Sequence, residues 1–214
     1  TTQGDAPIHY TLDGSEPTAA SPRYTEPVEI GKSARFRATA LREGGENVSY
    51  SREFVFSKST GHPAVLNTKP NDSYTFEGAS LLVDGYHSRP VFTSGAWLGY
   101  LDEPLDVTID MGGEQSYSSV ELETLAEKGD WIFPPSSVTV WVSDNGTDFT
   151  EVASVSVPEA KAGDADGIGR YRMQFPETSA RYLKVVAQNA AAIPAWHPGA
   201  GSKGFLFVDE VVVE

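Results

Sequence analysis

The chain has no cysteine among its 214 residues. That rules out a disulfide framework and a thiolate-held metal, so the redox compartment cannot be read from this residue, although its absence is compatible with export. Long apolar runs are missing as well. No stretch reaches the roughly 18 residues that a membrane-spanning helix needs. Positive charge is scarce: sixteen Lys and Arg stand against thirty Asp and Glu, a formal net charge of −14. Such a surface repels nucleic-acid phosphates and anionic lipid headgroups, so nucleic-acid and membrane partners are not expected and neutral or cationic ones are favoured. Helical periodicity is nearly absent; residues 118–129, "SSVELETLAEKG", are ambiguous, and their alternation also reads as a strand. There is no initiator Met and no signal-like segment, so the chain reads as an internal or C-terminal piece of a longer protein.

What is present is strand. "VTVWVS" (138–143), "RYLKVVA" (181–187) and "FLFVDEVVV" (205–213) are β-branched and aromatic runs bounded by turn residues, and Asn145-Gly146 supplies a hairpin signal. The fold class is all-β. Residues 1–57 form a first domain ending in the alternating "REFVFS", and residues 58–70, with Gly, two Pro and little periodicity, read as a linker to a second domain over 71–214. The first 57 residues carry 6 basic and 8 acidic side chains and the rest 10 and 22, so the acidic character belongs to the second domain.

The segment "IHYTLDGSEPTAASPRYTEPVEIGKSARFRATAL" (8–41) resembles the fibronectin type III-associated repeat appended to bacterial chitobiases and hexosaminidases, which implies a small immunoglobulin-like β-sandwich. Physically, Asp13-Gly14 makes a tight turn and Pro17 fixes the bend after it. The second domain, through "LLVDGYHS" (81–88), "WLGY" (97–100), "VTIDMG" (107–112), "WIFPPSSVTVWVSDNGTDFTEV" (131–152), "ARYLKVVA" (180–187) and "FVDEVVV", resembles the coagulation factor V/VIII type C, or discoidin, jelly-roll β-sandwich. Within that superfamily, "EKGDWIFPP" with "IPAWHPGAGSKGFLFVDE" looks most like the carbohydrate-binding module family 32-type domain at the C-terminus of Bacteroidetes family 20 β-N-acetylhexosaminidases.

That resemblance implies a non-catalytic accessory region of a secreted, periplasmic or cell-surface bacterial glycosidase. Its partners would be a glycan with terminal hexosamine or galactose and the catalytic domain of the same polypeptide. A spacer that packs on that domain and a protein-binding adhesion module are the alternatives. Sugar sites need an aromatic plate for a pyranose face and a few hydrogen-bonding groups for the hydroxyls. Trp131 and Trp196 follow Gly129-Asp130 and Pro194 in loop-like sequence, while Trp141 lies mid-strand and reads as core; Trp97 is balanced between core and rim. Neutral imidazole both donates and accepts, so His197 and His87 join the candidates, with Tyr86 beside the latter. Arg181 reads as structural.

The Asp209-Glu210 pair is not expected to be catalytic, because it lacks the His-x-Gly-Gly prefix of the family 20 acids. In a regular strand the two side chains would face opposite sides and could share a site only across a bulge. By resemblance, Asp84 and Glu210 are the side chains expected at a structural calcium ion, with carbonyls around 84–88 completing an oxygen shell. The alternative has Asp84 capping its Asp-Gly turn and Glu210 paired with Arg181.

Overall fold

The structure is a computed structural model that describes residues 6–42, 44 and 46–214. Among them there is no α-helix; regular structure consists of ten strands and four short 3-10 turns. Among the described residues no helix is long and apolar enough to cross a membrane.

The chain divides after Phe56 into two compact units. In the first, β1 (Ile8–Thr11), β2 (Ala34–Ala40) and β3 (Val48–Phe54) form an antiparallel sheet in that order. The Asp13-Gly14 turn is built as its sequence demands: the Asp13 carboxylate accepts the Ser15 N–H at 2.9 Å, and Gly14 takes φ 82°.

The second unit is one antiparallel system of seven strands. β4 (Ala64–Leu66), β5 (Leu98–Tyr100), β6 (Leu105–Ala126), β7 (Ser137–Ser143), β8 (Thr150–Ser156), β9 (Gly167–Gln188) and β10 (Leu206–Val213) pair in the order β5-β10-β6-β9-β7-β8, with β4 on β6. The stretch 58–70 is therefore no linker: it belongs to the second unit, and Ala64, Val65 and Leu66 pair with Ile109, Thr108 and Val107. Its short apolar triplet is masked in sequence by the flanking Gly and Pro.

β6 and β9 are each 22 residues long, and their mutual register breaks between Asp110 and Gln115 and again between Tyr117 and Ser119. Such breaks bend a strand pair and reset which residues face inward. Accordingly Leu105, Val107, Ile109 and Met111 point into the main core on odd numbers, whereas Val120 and Leu122 do so on even ones. Leu183, Val185 and Ala187 of β9 and Val138, Val140 and Val142 of β7 complete this core. Trp141 falls on the opposite face of β7, half-buried, with the Lys184 ammonium 5.7 Å from its ring centroid, so it is not a core residue. Strand alternation places it outward between two inward valines.

The long segment between β4 and β5 buries Leu81, Leu82 and Val83 in the same main core. It is pinned by a smaller aromatic core in which fully buried Trp97 joins Leu125, Ile132 and Phe207; the Trp97 indole N–H donates to the Arg89 carbonyl at 3.0 Å. Arg181 is structural in a way that involves Asp110 rather than Glu210. Its guanidinium makes two parallel bonds to that carboxylate, 2.9 and 2.8 Å, and lies over the Tyr182 ring. The Arg181 bonds, aided by the Gly112 N–H, hold the Asp110 carboxyl down at about 2. A depressed folded-state value stabilises the fold above the ordinary Asp range and loses that contribution as pH falls towards 2. The urea midpoint of the wild type is therefore expected to exceed that of Asp110→Asn at pH 5, with the gap closing by pH 2. A gap that does not depend on pH would show that the pair contributes packing alone.

Candidate functional site: an aromatic corner and a buried acid cluster

Two loops meet at one end of the second unit. After β6, Glu127 and Ile132 exchange backbone hydrogen bonds of 3.1 and 3.2 Å, closing a loop around the turn Lys128–Asp130 and placing Trp131 at its end. The loop before β10 is closed by Ile193, whose N–H reaches the Ser202 carbonyl at 2.8 Å while its carbonyl accepts the Gly201 N–H at 3.0 Å. The loops are stitched together where Phe205 N–H donates to Trp131 O at 2.8 Å and Phe133 N–H to Phe205 O at 2.9 Å.

Trp131 carries the tension of this arrangement. Its φ of 64° puts a bulky non-glycine residue in the left-handed region, which costs of order 1–3 kcal/mol and persists only where the surroundings enforce it. The indole is nonetheless 43% exposed, and Trp196 on the facing loop is 39% exposed. Gly199 lies under the Trp131 ring so closely that a Cβ there would come within 2.8 Å of it. Trp196 is fixed by its indole N–H, which donates to Ala160 O at 2.9 Å. Beside it opens a groove of about 380 Å³ lined by Phe133, Pro134, Pro158, Ala160, Ala191 and Pro194. Glu159 is the one ionisable side chain on its wall. Sequence reasoning missed this groove; the Pro and Ala runs at 134–135 and 190–192 were the available signal.

His197, expected to face a sugar, lies beneath the tryptophans instead. It is 8% exposed, and both ring nitrogens are engaged by backbone: Nδ1 accepts the Gly199 N–H, and Nε2 lies 3.0 Å from the Lys128 carbonyl. No polar atom of the ring is left for a hydroxyl.

Tyr86 and His87 are placed on the segment that crosses β6 and β10. The His87 side chain is only 9% exposed and its Nδ1 lies 2.6 Å from Glu123 Oε2, an oxygen that Arg170 Nε also reaches at 2.8 Å. The imidazole thus serves a buried carboxylate and does not join the tryptophan corner. Tyr86 is half-buried, and its backbone N–H donates to Asp84 at 2.7 Å.

The acids of the terminal strand come together through a bulge. Val208 pairs with Thr124 and Val211 with Leu122, so Asp209 and Glu210 both stand opposite Glu123. Regular alternation fails here, and both side chains are buried, at 1% and 0% exposure. With Glu123 they grip the 84–88 segment. Glu210 accepts the Gly85 N–H at 3.2 Å, Asp209 accepts the Ser88 N–H at 2.8 Å, and Glu123 holds His87. Burial, reinforced by neighbouring carboxylates, pushes Asp209 up to about 8 and Glu210 up to about 9; Asp84 is among the charges acting on both. Glu210 Oε2 is buried with no hydrogen-bond partner. An unpartnered carboxylate oxygen facing other acids suits an oxygen-ligand cation such as calcium. Among the described residues no three acid or imidazole groups stand at metal-ligand spacing, so a shell here would draw most of its oxygens from backbone carbonyls.

An F5/8 type C domain model matches residues 67–203, well over half of the chain. The chain belongs to the F5/8 type C domain family. An Fn3 associated model matches residues 1–54. Solved structures similar to this F5/8 type C protein include a Clostridium perfringens module in complex with GalNAc-β-1,3-galactose, at 17% identity and TM-score 0.47 over 71% of this chain and 93% of that one. Chitosan-binding module 1 of a Paenibacillus sp. IK-5 chitosanase/glucanase aligns at 17% identity and TM-score 0.48, covering 74% and 98%. A Streptococcus pneumoniae fucose binding module aligns at 22% identity and TM-score 0.46, covering 74% and 94%. No curated protein matches.

Proposed function

We propose that the second unit of this F5/8 type C protein is a non-catalytic carbohydrate-binding module. Its ligand is a neutral glycan ending in a hexosamine or galactose, seated at the Trp131–Trp196 corner. The observation that carries this reading is the exposure of two tryptophans on facing loops, one of them in a backbone conformation that only its surroundings sustain. Aromatic faces bury the apolar face of a pyranose, and the surrounding backbone groups address its hydroxyls. Acidic residues dominate this unit, which disfavours uronates and sialylated termini.

In this reading the module belongs to a secreted, periplasmic or surface bacterial protein and keeps a tethered catalytic domain, a family 20 β-N-acetylhexosaminidase, close to its polymer. A weak second contact gains effective concentration through the tether. A structural calcium ion held by Glu210, Asp84 and carbonyls of the 84–88 segment secures the loop side of the sandwich; its role is to brace the fold, with no part in sugar chemistry. The apolar groove beside Trp196 favours a second reading, in which the corner and groove pack against the catalytic domain as a spacer.

A glycan-array screen on the folded chain, with N-acetylglucosamine, N-acetylgalactosamine and galactose termini confirmed by calorimetry at high ligand concentration, separates the two. Selective binding of one neutral terminus is expected. A folded protein that ignores every glycan would leave the spacer reading in its place.

A further inference from the structure

We propose that His197 is a positioning residue for the aromatic corner, acting as a neutral latch between its two loops and not as a sugar ligand; the inference rests on the glycan-binding reading above. The Gly199 N–H donates to Nδ1 at 3.0 Å, which makes that nitrogen the acceptor. The proton therefore sits on Nε2, which donates to the Lys128 carbonyl at 3.0 Å. One ring thereby spans from the Trp196 loop to the turn that carries Trp131.

Its packing points the same way. Trp131, Trp196 and Phe133 all stand edge-to-face on the imidazole, with centroid distances of 6.1, 5.5 and 5.5 Å and interplanar angles of 87°, 83° and 85°. A single buried ring thus supports both exposed plates, and the residue it bonds on its own loop, Gly199, is the one lying beneath Trp131. Trp196 has a second anchor in its bond to Ala160 O, whereas the Trp131 indole rests on this ring and on Gly199; a binding plate loses affinity when its orientation is no longer set in advance.

The test uses His197→Ala and His197→Phe, the latter keeping ring volume while removing both hydrogen bonds. Near-ultraviolet circular dichroism of the unliganded protein is read alongside glycan affinity, with Trp131→Phe and Trp196→Phe assigning the signal from the corner. Both His197 variants are expected to keep the wild-type far-ultraviolet spectrum, lose the near-ultraviolet signal of the corner and bind glycan about tenfold more weakly or worse. His197→Gln, which restores a donor to Lys128 O, is expected to recover part of both. An unchanged corner signal in His197→Phe overturns the latch, whatever happens to affinity. If the wild type binds no glycan, the glycan reading fails by itself, and the spectrum of the unliganded protein still decides whether His197 sets the corner.

Discussion

Replacing Trp131 with alanine is expected to weaken glycan binding by about thirtyfold, the effect of losing about 2 kcal/mol from a central aromatic contact. The fold should persist, with a smaller loss of stability than truncating a core residue would cause. The indole is 43% exposed, so its removal leaves no cavity in either core, and the φ of 64° remains strained for alanine as it is for tryptophan. Gly199→Ala provides an independent approach to the same plate. Its methyl would lie 2.8 Å from the benzo edge of the Trp131 indole, a side chain 43% exposed, so the ring should move without the fold giving way. Weaker binding in both variants, each still folded at the temperature of the assay, would place the ligand on this ring. Should Trp131→Ala lose binding while Gly199→Ala keeps it, the orientation of the plate would be unimportant and only its area would count. If neither variant alters binding, the ligand lies elsewhere.

How far the sequence reached depends on whether a feature is local. The strand runs, the Asn145-Gly146 hairpin and the Asp13-Gly14 turn are decided within a few residues, and all appear where their side chains demand them. Gly146 adopts φ 74°, and the Asn145 side-chain Oδ1 accepts the Thr147 and Asp148 N–H groups at 2.9 Å each. Trp131 and Trp196 could be read as loop residues because Gly129-Asp130 and Pro194 precede them. The burial of His197 was not legible, since it depends on a carbonyl 69 positions away. The 58–70 stretch reads as a linker for a similar reason: three residues make a strand only when β6 is present to pair with them. Asp209 and Glu210 show the limit most sharply. A period of two sets them on opposite faces, and a single extra residue against β6, invisible in β10 alone, brings both inside.

Those two acids carry the other large expected effect. Saturating calcium should raise the thermal midpoint of the second unit, a chelator should reverse the rise, and Glu210→Gln should abolish it. At a hundredfold excess over the dissociation constant, binding to the folded state alone contributes about 2.7 kcal/mol, which for a unit of this size corresponds to a shift of about 5–10 °C. Glutamine keeps the shape of Glu210 and can still accept the Gly85 N–H. It removes the negative charge that a cation needs and that burial disfavours. Glu210→Gln is therefore expected to be at least as stable as the wild type in chelator and less stable than the wild type in calcium. This crossing separates a cation site from a merely buried acid, for which the variant would gain stability under both conditions. Asp84→Asn should reduce the calcium response to a lesser extent, because Asp84 sits at the exposed mouth of the segment while Glu210 is fully enclosed. A thermal midpoint indifferent to calcium in the wild type would remove the ion from the fold. Asp209 and Glu210 would then be a pair of buried acids held by the Ser88 and Gly85 N–H groups, bracing the loop by hydrogen bonds alone.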